Sequence, residues 1–213
     1  MTGVQTCALP ISFSWWASLT PEAASDDFTV SGTPNSALWY DRDTGSYVQD
    51  GRLVMDLSSG NTNDTLDSTY TIYGDFDIQV DWDAGSAPTT DGWFMGLSAW
   101  RANEDLTLKR IFIRRRYNTT NGHHYDSGYH DGGGWTFANT ATTSGSGKLR
   151  ITREDHVMKM YYYDSGTWQL AQTGTLTSLD NVPMTIKLDA TTYTGEPTVS
   201  LYFDNFTVNK AFI

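Results

Sequence analysis

Residues 75–83 read Asp-Phe-Asp-Ile-Gln-Val-Asp-Trp-Asp, an unbroken alternation of polar and apolar side chains. Side chains that repeat every two residues belong to an extended strand, so Phe76, Ile78, Val80 and Trp82 fall on one side and the four aspartates with Gln79 on the other. One face seeks a core and the other water. The same period recurs at residues 52–57, 148–152, 157–163, 182–188 and 199–203, whereas from Phe13 onward no stretch keeps apolar residues at helical spacing over three turns. Between these runs lie Asp50-Gly51, Asn121-Gly122, Ser165-Gly166 and the glycine-rich residues 131–134 and 144–147, which supply the positive-φ positions of tight hairpins. The chain is therefore expected to be all-β, an antiparallel sandwich of two sheets. Near its end the apolar parity runs Val199, Leu201, Phe203 and then Phe206, Val208, which places a β-bulge or a strand break at Asp204-Asn205.

The 213 residues suffice for one domain with a real core. A net charge of -11 repels phosphate backbones and argues against a nucleic-acid partner. No run of about 18 apolar residues is present to span a membrane. Residues 1–12 stand apart: Met1 through Ile11 resemble, codon for codon, the translation of a widely used sequencing-library adapter read from a GTG start, and the leftover base opens the codon of Ser12. They are set aside as a fusion scar would be. Cys7, the single cysteine, goes with them, which leaves neither a disulfide framework nor a thiol nucleophile. The same reading implies an environmental read assembly, with the native start, any signal segment and any further domains of a longer chain lying upstream. Residues 13–25 do not alternate and are expected to lead into a single sandwich domain over residues 26–213.

Several short segments then occur in a telling order: Asp26-Asp27-Phe28, Asp50-Gly51-Arg52-Leu53-Val54, Gly74 followed by the strand above, residues 147–153, Tyr161-Tyr162-Tyr163-Asp164 before Trp168, and residues 202–208. Over residues 26–209 this set resembles the concanavalin A-like lectin and glucanase superfamily, the jelly-roll sandwiches that include laminin G-like modules. The resemblance implies the fold and leaves the activity open, since lectins, glycosidases, lyases, adhesion modules and virion proteins all use it. Its retaining glucanases carry Glu-x-Asp-x-x-Glu on a strand of the concave sheet, because that chemistry needs two carboxylates about 5 Å apart. The nearest segment here, residues 75–81, lacks both glutamates, and Glu22, Glu104, Glu154 and Glu196 are not paired with another acid by strand alternation. A solvated strand face is the favoured reading of residues 75–83.

Other candidates gather between residues 100 and 137. His123, His124, Tyr125, Tyr129, His130 and Trp135 lie within thirteen residues, and flat aromatic faces stack on sugar rings while imidazole edges take hydroxyls. Such residues also fill cross-strand pairs in ordinary hairpins. Zinc is disfavoured because adjacent His123 and His124 point to opposite faces of a strand. Residues 101–116 hold six cations against Glu104 and Asp105. Arg114 and Arg116, sharing a face opposite Arg115, have the spacing to fork onto carboxylate or sulfate groups of an acidic polysaccharide, or to neutralise the aspartates of residues 75–83 on a neighbouring strand. The second use is preferred. Asp27 and Asp204 sit near the two ends of a fold whose first and last strands adjoin, which raises a structural Ca²⁺ against a hydrogen-bonded corner. Trp39, Trp82 and Trp168 are read as core, and Trp93 and Trp100 as either core or site.

These readings converge on a non-catalytic carbohydrate-binding module, extracellular, on a cell surface or on a virion. Its expected partner is a polysaccharide or other glycan, with Trp100, Tyr125, Tyr129 and Trp135 stacking and Arg114, Arg116, His123 and His130 supplying polar contacts. The alternatives are a structural or adhesive virion or surface protein, and a hydrolase or lyase using Asp77 or Asp81 with His123 or Tyr125.

Overall fold

The computed structural model describes residues 19–58, 62–85, 89, 92–102, 109–179, 182–193 and 198–213. Residues 1–18, with Cys7, and the acids Glu104, Asp105 and Glu196 lie outside them. Thirteen strands follow in chain order: β1 (Trp39–Asp41), β2 (Ser46–Gln49), β3 (Arg52–Leu57), β4 (Asn63–Asp83), β5 (Trp93–Arg101), β6 (Arg110–Asn118), β7 (Gly122–His130), β8 (Trp135–Ala141), β9 (Ser146–Glu154), β10 (Val157–Asp164), β11 (Thr167–Thr175), β12 (Met184–Thr192) and β13 (Val199–Phe212). A single 3₁₀ turn, Thr177–Leu179, is the one helical element among the described residues.

Every pairing between strands is antiparallel, and the strands form two layers that share β4. The C-terminal half of β4 lies between β9 and β13 in a first sheet of order β2-β3-β13-β4-β9-β10-β11. Its N-terminal half lies between β1 and β12 in a second sheet of order β1-β4-β12-β5-β6-β7-β8. The crossover comes at Gly74, whose φ of 56° suits a residue without a Cβ. The anticipated hairpin turns form as their residues require: Asp50-Gly51 and Ser165-Gly166 both take positive φ at each position, the geometry of a type I′ turn. At Asn205 (φ 49°) the β13–β4 register slips between Asp204 and Thr207, the bulge that the parity change marks.

Phe76, Ile78, Val80 and Trp82 are buried between the layers with Leu149, Ile151, Leu201 and Phe203 from the first sheet. Met95, Leu97, Ala99, Ile111, Ile113, Ile186 and Leu188 meet them from the second. Two expectations need correcting. The lead-in segment already belongs to the fold by residue 19: Leu19 packs on the core, Ala24 is fully buried, and Ser25 Oγ accepts the backbone N–H of Val208 at 2.9 Å. Trp168 is not core; it lies half-buried on β11, against Tyr163 and Arg150.

One buried acid sits at the end of the sandwich. Asp64 is 2% exposed, accepts Ser46 Oγ at 2.9 Å through one oxygen and leaves the other without a partner. Burial pushes its carboxyl up to about 6, with Asp41 and Asp43 adding to the rise and Ser46 opposing it. A folded-state value above the unfolded one means that the proton is held more tightly in the fold. The resulting stability is full below about pH 4 and is lost as pH rises through about 6. Asp64→Asn is expected to flatten that decline, leaving the variant more stable than the parent by about 2 kcal/mol near neutral pH and equal to it near pH 4. Urea melts across this range check it; an unchanged slope in the variant would refute the assignment.

Candidate functional site

Strand register decides which side chains share the outer face of the second sheet. Three rungs run across it. The first is Asp67, Lys187, Ser98, Phe112, Gly128 and Phe137; the second is Thr65, Asp189, Gly96, Arg114, Asp126 and Asn139; the third is Thr185, Trp100, Arg110, His130 and Trp135. Alternate residues of the same strands, among them Leu188, Leu97, Ile113 and Tyr125, point to the core.

Most charged groups on this face are ion-paired, Lys187 with Asp67 and Arg114 with Asp189 most deeply. Lys187, 5% exposed, donates to Asp67 Oδ1 at 2.7 Å, and Arg42 donates to the other oxygen of the same carboxylate. Arg114 Nη2 donates to Asp189 Oδ2 at 3.1 Å. It reaches two strands across because Gly96 lies between them: a Cβ there would run into the Arg114 stem and meet the Ile113 carbonyl at 3.0 Å. Arg116 Nη1 donates to Asp126 Oδ2 at 3.2 Å. Gly128 plays the same part in the first rung, where a Cβ would press on the rings of Phe112 and Phe137 at 2.8–2.9 Å.

Aromatic rings alternate with these cations. Arg114 lies over Phe94 and Phe112 with its guanidinium carbon 4.1 and 4.2 Å from their centroids, Lys187 Nζ is 4.5 Å from Trp100, and Arg110 is 4.4 Å from both Trp100 and Trp135. Between the pairs opens a cleft of about 320 Å³ lined by four cations (Arg42, Arg110, Arg114 and Lys187), one carboxylate (Asp189), the rings of Phe94 and Trp100, and Asn63, Thr65 and Thr191. Inside it Asp189 Oδ1 and the Nε atoms of Arg110 and Arg114 are buried with no hydrogen-bond partner among the described residues. Buried polar atoms are rarely left so unless something else meets them.

The sequence-derived residues divide between the two sides of the sheet. Trp100, Arg114, Arg116, His130 and Trp135 share the outer face. His123, Tyr125 and Tyr129 have the opposite parity: Tyr125 is 1% exposed, stacked on Tyr162 of the first sheet at 4.3 Å, Tyr129 packs over Gly174, and His123 leans on Tyr117 and Trp93. These three cannot contact a ligand on the outer face. Nor do the Trp135 faces stand open, because Arg110 lies over the ring and Phe137 stacks on it at 5.3 Å. Arg114 and Arg116 neutralise Asp189 and Asp126, not the aspartates of residues 75–83, which lie in the other layer. Those aspartates pair at home: Asp77 with Arg150, Asp81 with Lys148, Asp75 with Lys210 and Asp83 with Arg52. Asp77 and Asp81 are thus on a different sheet from His123 and Tyr125, which removes them as an acid–base set. Arg42, Asp67, Phe94, Arg110, Lys187 and Asp189 were not singled out by sequence, although Lys187, Asp189 and Thr191 alternate with Leu188 and Ala190 and so declare their common face.

The chain ends do meet, in an antiparallel bridge between Asp26 and Phe206. The carboxylates there are used locally: Asp26 accepts Phe28 N–H at 2.8 Å and Trp39 Nε1–H at 3.0 Å, Asp27 accepts Thr29 Oγ1–H at 3.0 Å, and Asp204 accepts Asn205 N–H at 2.7 Å. Among the described residues no three His, Cys, Asp or Glu side chains gather, so a Ca²⁺ held by Asp27 and Asp204 would take the rest of its roughly six to eight oxygens from backbone carbonyls and water. A hollow of about 740 Å³ beside this corner exceeds the cleft in size but holds no comparable set of unsatisfied groups.

Residues 12–209 match the family described as "Protein of unknown function (DUF1583) C domain". The chain belongs to that family. No curated protein matches it. Among solved structures, this DUF1583 C domain is similar to LamAcat from Zobellia galactanivorans, at TM-score 0.67 and 14% identity over 87% of this chain and 96% of that one. It is also similar to the Bacillus licheniformis beta-glucanase, at 0.66 and 14% over 87% and 97%, and to a glycoside hydrolase family protein from Mycobacterium thermorestibile, at 0.64 and 15% over 86% and 98%. At such identities the likeness establishes the fold, and the DUF1583 C domain is a concanavalin A-like jelly roll. No helix among its described residues is long and apolar enough to cross a membrane.

Proposed function

We propose that the chain is an extracellular or surface-displayed module that binds polysaccharide along the outer face of the second sheet. The observation that carries this reading is the cleft itself, where aromatic walls enclose buried polar atoms that have no hydrogen-bond partner among the described residues. Sugars suit such a cleft, since their hydroxyls donate and accept and their apolar faces can lie against the rim of half-buried Trp100, whose ring also carries Arg110 and Lys187. Fold relatives named as a beta-glucanase and a glycoside hydrolase lend support.

Those names also favour a second reading, cleavage of the bound chain. Against it, Asp67, Asp126 and Asp189 on this face are each engaged by a guanidinium or ammonium group, and Glu22 and Glu154 lie elsewhere. A retaining hydrolase needs one carboxyl group that gives up a proton and another that attacks. Affinity electrophoresis of the full chain against neutral and acidic soluble polysaccharides, followed by an assay of reducing ends, separates the readings. Retardation without new ends is the expected result. New ends would establish the hydrolase, and no retardation by any glycan would overturn a carbohydrate role in favour of assembly or adhesion.

A further inference from the structure

One cation in the cleft has no ion-pair partner among the described residues. Arg114 is taken by Asp189, Arg116 by Asp126, and Arg42 and Lys187 share Asp67. Arg110 makes no ion pair or hydrogen bond among the described residues, and its Nε is buried without an acceptor. Its guanidinium is held by two indoles, Trp100 on the adjacent strand and Trp135 two strands away. Burial, with Arg114 nearby, pushes it down to about 10, and the charge of Asp189 offsets part of this. A guanidinium donates in its own plane and suits the paired oxygens of a carboxylate or sulfate. The chain as a whole is acidic, with a net charge of -11, and repels polyanions away from this cleft.

Given the reading of this face as a glycan site, we infer that the cleft selects polysaccharides with an anionic group, a uronate carboxylate or a sulfate ester, on the sugar seated at Arg110. Three probes test it by affinity electrophoresis: polygalacturonate, a sulfated galactan, and a neutral β-glucan. The full chain is expected to bind one of the two polyanions about tenfold more tightly than the glucan, and which one identifies the anion. Arg110→Met keeps an apolar stem between the two indoles and is expected to abolish that preference, so that the variant binds the polyanion no more tightly than the glucan. Arg110→Lys keeps the charge without the planar fork and should retain part of it. Circular dichroism and indole fluorescence of both variants establish that the sheet is intact; should Arg110→Met misfold, Arg110→Lys against the parent still reports the fork. Equal binding of neutral and anionic chains, or an undiminished preference in Arg110→Met, would overturn anion selection and leave the glycan face standing. Failure of all three probes to bind would overturn both.

Discussion

Asp67→Ala is expected to destabilise the fold by about 3–5 kcal/mol, the usual cost of removing one partner of a buried ion pair. Asp67 is 6% exposed and is the acceptor for both Lys187 Nζ and Arg42. Its loss strands an ammonium group inside the sheet and frees the arginine that helps to frame the cleft. At about 2–4 °C per kcal/mol for a domain of this size, the melting temperature should fall by about 10 °C. The double variant Asp67→Leu with Lys187→Met removes both charges together and should recover most of the loss, because an apolar pair of similar volume often replaces a buried ion pair at little cost. A double variant no more stable than Asp67→Ala would mean that the carboxylate matters for shape and not for charge.

Arg153→Ala is expected to cost about 3 kcal/mol through the carbonyls it leaves bare. This arginine, 2% exposed, donates to the Gly74 carbonyl where β4 changes sheets, and through Nη1 to Leu179 O at 3.0 Å and Val182 O at 3.2 Å. It pins the crossover to the segment that leads into β12. Arg153→Lys should recover only part of the loss, since a point donor cannot span three acceptors. Thermal melts decide the matter, and a lysine variant as stable as the parent would show that one carbonyl carries the effect.

The fold was legible because its central strands obey a single rule. Phe76, Ile78, Val80 and Trp82 alternate with acids so cleanly that register, face and core follow from residue order alone, and the bulge at Asn205 shows as a change of parity. The site was harder to read because both faces of β6 and β7 carry polar and aromatic groups. Arg115, 2% exposed, points into the sandwich and gives its N–H groups to the Ser144 and Arg116 carbonyls, so charge does not mark the outer face there. Tyr125 and Tyr129 look like sugar platforms in sequence, but Tyr125 is core and Tyr129 packs half-buried against it; Phe112 looks like core and lies on the outer face, under Phe137 and Trp135. The cleft also draws on β4, β5, β6 and β12, which no local pattern unites.

The position of β4 constrains how the polypeptide acquires its shape during synthesis. Residues 63–83 are interior to both layers, and their partners other than β1 are β9, β12 and β13, made from residue 146 onward. Without β4 each layer falls into separate pieces. The early strands therefore leave the ribosome with two unsatisfied edges and wait for more than sixty residues, and in the case of β13 for almost the whole remaining chain, before those edges close. A chaperone that covers exposed strand edges should be found on nascent chains that end before β13, and should leave once it is complete.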